Sequence, residues 1–348
     1  MVLYDTAKLK HLSAHKIGNK TNGEDLIASR SELEIADEGR EQLISYFLKS
    51  FTSEEYYHLS STDGDFQLNP LYQFAKDVFE SGKQFHNRSV SIAKHLYEVS
   101  LHPQIKSGDL FVALFANVLV DGEKTDVLGI FKSESKSSIL KLTSQSKGEF
   151  ELSFDEGISL EKLDKACLIY NLDEDSGYRV SIIDRSSKSS DAQYWRELFL
   201  RVVPVNNHFQ ATLNVLDITR HYVADQITEE FDLSRADQLA YLTKSIDYFK
   251  KHDEFNQREF ENEVFEDPEL IKSFRKFDNN FREQLDLERE DSFTISAEVV
   301  KKQARVFKSV LKLDKNFHIY IHGDRELIER GVEKDGRKYY KIYYTNEL

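Results

Sequence analysis

Five short apolar runs follow one another at residues 110–120, 127–132, 139–142, 166–170 and 179–183, with no long helix-patterned segment between them. Parallel neighbours need a crossover of a dozen or more residues, usually a helix, whereas antiparallel neighbours need only a turn. The missing crossover predicts an antiparallel sheet. Asp121-Gly122, between the first two runs, is a hairpin-turn signal extended by a few polar residues.

Helical periodicity flanks this stretch on both sides. Asn69-Pro70 reads as an N-cap followed by proline in the first turn. Leu71, Phe74, Ala75, Val78 and Phe79 then share one face, and Ser81-Gly82 ends it. A second helix carries Phe85, Ser89, Ile92, Leu96 and Val99, and His102-Pro103 stops it. Beyond the Ser/Lys-rich loop at 186–190, Phe209, Leu213, Leu216, Val223 and Ile227 line another. Ser234 with Asp237 has the form of a capping box ahead of Leu239, Leu242, Ile246 and Phe249. Asp267-Pro268 opens a helix in which Leu270, Phe274, Phe277, Phe281 and Leu285 recur every three or four residues. The chain then returns to strand. Phe317, Ile319 and Ile321 alternate with His318, Tyr320 and His322, and residues 338–344 alternate again after the Asp335-Gly336 turn.

The expected fold is α+β: an antiparallel sheet with N-terminal helices, then a helical segment and a small C-terminal β unit. At 348 residues the chain exceeds what one core usually fills, so two domains are expected, 1–190 and 191–348.

Charge is unevenly placed along this frame. The whole chain carries a formal −14, yet residues 301–348 hold 12 Lys/Arg against 7 Asp/Glu. Residues 229–291 hold 19 acidic against 10 basic side chains. A segregated protein can offer a cationic face to a polyanion with an acidic body behind it. Lys301, Lys302, Arg305, Lys308 and Lys312 form a basic ladder into the C-terminal strands. Arg337, Lys338 and Lys341 follow the Asp335-Gly336 turn, interleaved with Tyr339, Tyr340, Tyr343 and Tyr344. Lysine and arginine displace counterions from phosphate, and tyrosine packs on sugars or bases. A second cluster comprises Lys132, Lys136, Lys141 and Lys147, with Lys94 and His95 as further candidates.

Enzyme signatures are sparse. Gly18 and Gly23 have the spacing of a phosphate loop, but Glu24-Asp25 stand where a cation and a hydroxyl are required, so a turn is expected. The pairs His11/His15 and His318/His322 are four apart but lack an evident third ligand, and no metal is expected. Glu134-Ser135-Lys136 with Asp109, Asp121 or Asp126 has the outline of a metal-dependent nuclease motif, a minor alternative. The lone Cys167 lies in the apolar run 166–170 and is expected to be a buried strand thiol. Cysteine usage, the N-terminal residues and the short apolar stretches lead to an expectation of a soluble cytoplasmic protein that uses no membrane and no cofactor.

Six segments together carry a collinear likeness to one known family. They are Ser91-Ile92-Ala93-Lys94-His95-Leu96-Tyr97-Glu98, the segment His102-Pro103-Gln104-Ile105-Lys106-Ser107-Gly108-Asp109-Leu110, and Leu128-Gly129-Ile130-Phe131-Lys132-Ser133-Glu134. Tyr194-Trp195-Arg196-Glu197-Leu198-Phe199-Leu200, Leu313-Asp314-Lys315-Asn316-Phe317-His318-Ile319 and the ending from Arg337 to Tyr344 complete the likeness. In these segments the chain resembles the NdpA/YejK-type nucleoid-associated proteins of bacteria, and the resemblance implies a nucleoid-associated protein able to bind DNA and carries no catalytic residue set. Together with the charge, it gives the expectation of a non-enzymatic DNA-binding or adaptor protein of the nucleoid. That protein would contact phosphate with little sequence preference, pair as a homodimer and have a chromosome-handling protein as partner. A pure protein-interaction module recruited by such a partner is the rival.

Overall fold

The computed structural model describes residues 2–144, 149–185, 194–231, 233–304, 307, 310–313, 317–320 and 327–346. The chain divides into two compact units, Met1–Val205 and Asn206–Leu348. Strands of the first unit are β1 (Val2–Leu3), β2 (Lys8–Ile17), β3 (Tyr57–Leu59), β4 (Gly108–Val120), β5 (Glu123–Ser133), β6 (Ser137–Ser144), β7 (Phe150–Gly157), β8 (Lys165–Tyr170), β9 (Arg179–Asp184) and β10 (Val202–Pro204). Its helices are α1 (Asp37–Leu48), α2 (Pro70–Glu80) and α3 (Phe85–Val99).

Eight strands form one antiparallel sheet in the order β1-β4-β5-β8-β9-β3-β10, with β2 also paired to β4. The central strands are apolar on both faces because both faces are covered. Leu110, Val112, Leu114, Leu128, Ile130, Cys167 and Ile169 point into a core shared with α2 and α3. Ala113, Phe115, Val127, Phe131, Ala166, Leu168 and Tyr170 point into the opposite core, which α1 closes with Tyr46, Phe47 and Leu48. Alternation is thereby replaced by continuous apolar runs. Phe47 stacks on Phe131 at 4.2 Å. Gly129 permits that crossing, since a Cβ there would sit 2.5 Å from the Phe131 ring and 3.2 Å from Phe115. Cys167 is fully buried in β8, and burial pushes its thiol far above the ordinary range.

The N-cap expected at Asn69 holds more than a helix. Its Oδ1 accepts from the Leu71 backbone N–H at 2.8 Å, while Nδ2 donates to the Ser60 and Leu200 carbonyls at 2.7 and 2.8 Å. Asn69→Ala removes a cap and strands two carbonyls in a site with no solvent access. A loss of about 2–4 kcal/mol follows, from about 1 for the cap and about 1–3 for unmet acceptors. Equilibrium urea unfolding measures it.

His15 of β2 is buried against α3. Its Nε2 bonds Ser89 Oγ at 3.1 Å, and its Nδ1 accepts from the Ser29 backbone N–H at 3.2 Å. Burial, helped by nearby His86, holds its pKa down to about 4 from an ordinary 6.5. Between these values the unfolded chain takes up a proton that the folded chain refuses. Stability from this site is therefore present above the ordinary value and lost as pH falls from 6.5 towards 4. The urea midpoint should drop over that window, and less in His15→Gln.

The second unit holds α4 (His208–His221), which runs through a π turn at Tyr222–Gln226 into a last α turn, Ile227–Glu230. It continues with α5 (Arg235–Lys251), α6 (Gln257–Val264), α7 (Pro268–Leu285) and α8 (Ala297–Gln303). Three two-stranded pairs complete it: β11 (Glu254–Asn256) with β12 (Ser292–Thr294), β13 (Val310–Leu313) with β14 (Phe317–Tyr320), and β15 (Ile328–Val332) with β16 (Lys338–Ile342). Ser234 and Asp237 form both bonds of the capping box, and Asp267 Oδ1 accepts from the Glu269 backbone N–H at 2.7 Å. The core is aromatic: Phe255, Phe260, Phe265 and Phe274 gather around Tyr222 and Tyr248. The mixed α+β class is as expected from the sequence. Among the described residues no helix is long and apolar enough to cross a membrane.

Candidate nucleic-acid interface

The C-terminal hairpin β15–β16 sets the geometry of the basic tail. Glu333 N–H bonds Arg337 O at 2.8 Å, enclosing a three-residue loop, Lys334-Asp335-Gly336, with Gly336 in the left-handed region. The resulting register pairs Val332 with Lys338, Arg330 with Tyr340, and Glu329 with Lys341. Directly opposed residues share a face and successive residues alternate. One face therefore carries Arg330, Val332, Lys338 and Tyr340. The other carries Glu329, Gly331, Tyr339 and Lys341.

Lys338 and Lys341, expected together, point to opposite sides. Lys341 lies 3.9 Å from Glu329 and 4.7 Å from the Tyr343 ring centroid, and Tyr343 donates to Glu329 at 2.7 Å. Arg337, near the turn, is held by Asp335 at 2.7 Å. Arg330 and Lys338 are exposed diagonal neighbours, and among the described residues neither has a carboxylate within salt-bridge distance. Arg330 was not singled out from the sequence. The signal was present, since the loop length fixes which residue of β15 faces Lys338.

The remaining described tail residues lie in other elements. Lys301 and Lys302 are exposed in the last turn of α8, and Lys302 pairs with Glu298 at 2.6 Å and lies over Phe209. Lys312 sits in β13 opposite His318. Arg305 and Lys308 lie outside the described residues, as do Lys147 and His322.

Lys132 requires a correction. Expected at a DNA surface, it is buried, because strand parity puts it on the same face of β5 as Leu128 and Ile130. Its Nζ donates to Lys106 O at 2.6 Å, Glu134 Oε1 at 2.9 Å and Tyr194 Oη at 3.0 Å. Lys165, paired directly across from it on β8, is also buried and donates to Asp184 at 2.8 Å. The Tyr194 ring lies 5.3 Å from both ammonium groups. This site cannot reach a phosphate. Of the same cluster, Lys136 is exposed, Lys141 pairs with Asp155 at 3.3 Å and Lys94 is exposed. The His95 Nε2 is bound to Phe199 O at 3.0 Å.

The nuclease outline does not assemble around Asp121 or Asp126. Glu134 is committed to Lys132 and Tyr194. Asp126 lies eight residues away along β5, roughly 26 Å at strand rise. Asp121, farther still, pairs with Arg179 and Tyr56. Asp109 is nearer, opposite Ser133. The Gly18–Gly23 segment is a turn held by Asn19, whose backbone N–H donates to Glu24 Oε2 at 3.0 Å, so the carboxylate fills the loop itself. His11 is bound to Glu32 at 2.8 Å. Sequence reading missed a different group: His252, Glu259 and Glu263 place ligand atoms within 4.8 Å of one another between the end of α5 and α6. Lys251, 3.3 Å from Glu263, already supplies a cation there.

This arrangement defines an α+β protein with a doubly covered antiparallel sheet and a separate, aromatic-cored helical unit ending in a basic hairpin. Residues 13–338 match the family described as nucleoid-associated protein YejK, and the chain belongs to that family. A search of curated proteins gives no match.

Since Lys132 and Glu134 are buried partners, Glu134→Ala should cost about 3–5 kcal/mol by removing the carboxylate that faces a buried ammonium. Chemical denaturation reads the loss, and DNA affinity of the folded variant should be unchanged in fluorescence anisotropy.

Proposed function

We propose that the protein contacts DNA at the nucleoid without catalysis and with little sequence preference, and also serves there as an adaptor. The observation that carries this reading is the Arg330–Lys338 face of the C-terminal hairpin, cationic, exposed and flanked by Tyr340. Two unopposed cations with an aromatic neighbour suit a phosphate backbone, and they offer no fork of donors fixed against a base edge. Lys301, Lys136 and Lys94 are further exposed cations that suit the same role. The acidic remainder repels DNA, so one face binds weakly. Two chains acting together raise the effective concentration of the second contact.

Affinity for unrelated duplexes should fall by about 0.9 log units per log unit of salt for each phosphate contacted. Arg330→Glu with Lys338→Glu should lower affinity for all sequences alike and flatten that slope by about two units. Lys341→Glu should do less, because Glu329 already faces that ammonium. Titrations of labelled duplex across a salt series check all three, and an unaltered slope in the double variant rejects the assigned face.

A second reading is favoured by the acidic segment 229–291, with its 19 carboxylates. It makes the chain a protein-interaction module held at the nucleoid by a basic chromosome-handling partner. Purified protein that shifts no duplex at low salt selects it.

A further inference from the structure

The β6–β7 hairpin leaves the main sheet between two strands that are already hydrogen-bonded neighbours, β5 and β8. Its register opposes Leu140 to Phe154, Leu142 to Leu152 and Ser144 to Phe150. Five large apolar side chains thus share one face, and all are exposed: Leu140 58%, Leu142 64%, Phe150 66%, Leu152 58% and Phe154 74%. The other face pairs Lys141 with Ser153 and Thr143 with Glu151, and its one paired apolar residue is Ile139, opposite Asp155 towards the root. The base is rigid. Glu134 and Ser135 backbone N–H groups donate to Asp164 at 2.8 and 3.0 Å, beside the buried Lys132–Glu134 pair.

We propose that this apolar face is the surface through which two copies of the chain pair. It rests on the reading of the protein as self-associating, and it is independent of the DNA contact.

Three features select a second copy as the occupant. First, the charge that the register puts on this face, Glu156 opposite Ser138, stands at the root beyond the five, so the five-residue patch is complementary to itself. A two-fold interface requires that property, because the same patch meets its own image. Second, the area suffices. Five aliphatic and aromatic side chains at these exposures offer roughly 600 Å² per chain, so about 1,200 Å² in total, at the lower bound of stable interfaces. Third, a two-stranded hairpin with one bare apolar face is marginal in water, and a patch of this kind invites aggregation. A cover must be present whenever the chain is, and an identical chain always is. Face-to-face packing at about 10 Å would bury both apolar faces and leave both polar faces in water.

The test uses the full-length chain without DNA. Sedimentation velocity at micromolar concentration should give twice the 40.6 kDa chain mass. Leu142→Glu with Phe154→Glu should return it to the single-chain mass with an unchanged far-ultraviolet spectrum. The thermal midpoint should rise with concentration in the parent and not in that variant. Leu142→Cys supplies an independent reading, because Cys167 is buried and a short bismaleimide should join chains only through the introduced thiol. A dimer that persists in the double variant, with no cross-link through position 142, overturns this surface while leaving self-association in place. A single-chain mass for the parent overturns both. In that case slow labelling of the introduced thiol assigns the cover to the chain's own second unit, and fast labelling assigns it to another protein.

Discussion

Burial of the central sheet on both faces is the constraint from which the first unit follows. With α2 and α3 against one side and α1 against the other, the central stretches 110–116 of β4, 127–133 of β5 and 165–170 of β8 hold no exposed position. Backbone polar groups are satisfied by antiparallel neighbours, and side chains must then be apolar or partnered. Lys132 and Lys165 obey the second option. They sit side by side at the end of the sheet, each with a carboxylate of its own, and Tyr194 fills the space over both. The charges there are a solution to packing at a sheet margin, and they hold the root of the projecting hairpin.

The same constraint explains what the amino-acid sequence disclosed. Continuous apolar runs marked β4, β5 and β8 because no solvent face interrupts them. Helices α2 and α3 were legible from periodicity and from Asn69-Pro70, and the later helices from Ser234…Asp237 and Asp267-Pro268. Strand β2 was not legible: its core-facing positions include Ser13 and His15, whose hydrogen bonds to His86 and Ser89 replace apolar contact. Helix α1 was hidden for a related reason. Its buried aromatics are consecutive at the C-terminal end, Tyr46 and Phe47, rather than spaced along a stripe.

The basic tail shows the limit of reading charge along a line. Composition located it and family likeness gave it context, but neither gives a side to a strand residue. Side assignment depends on parity, and parity across a hairpin depends on loop length. A two-residue turn at Asp335-Gly336 would have set Lys341 against Arg330. The three-residue loop sets it against Glu329 instead and leaves Arg330 diagonal to Lys338. Lys132 is the same lesson inside the sheet: counting alternate residues from Leu128 and Ile130 would have sent it inward.

The excursion between β5 and β8 also has an evolutionary corollary. Its two roots are joined by the sheet whatever lies beyond them, and the entropy of closing a loop grows only with the logarithm of its length. Insertions or deletions there leave the pairing of Val127 with Tyr170 and of Phe131 with Ala166 intact. Descendants of this chain can therefore lengthen, trim or repaint the projection while the domain beneath stays as it is, so association could diverge faster than architecture.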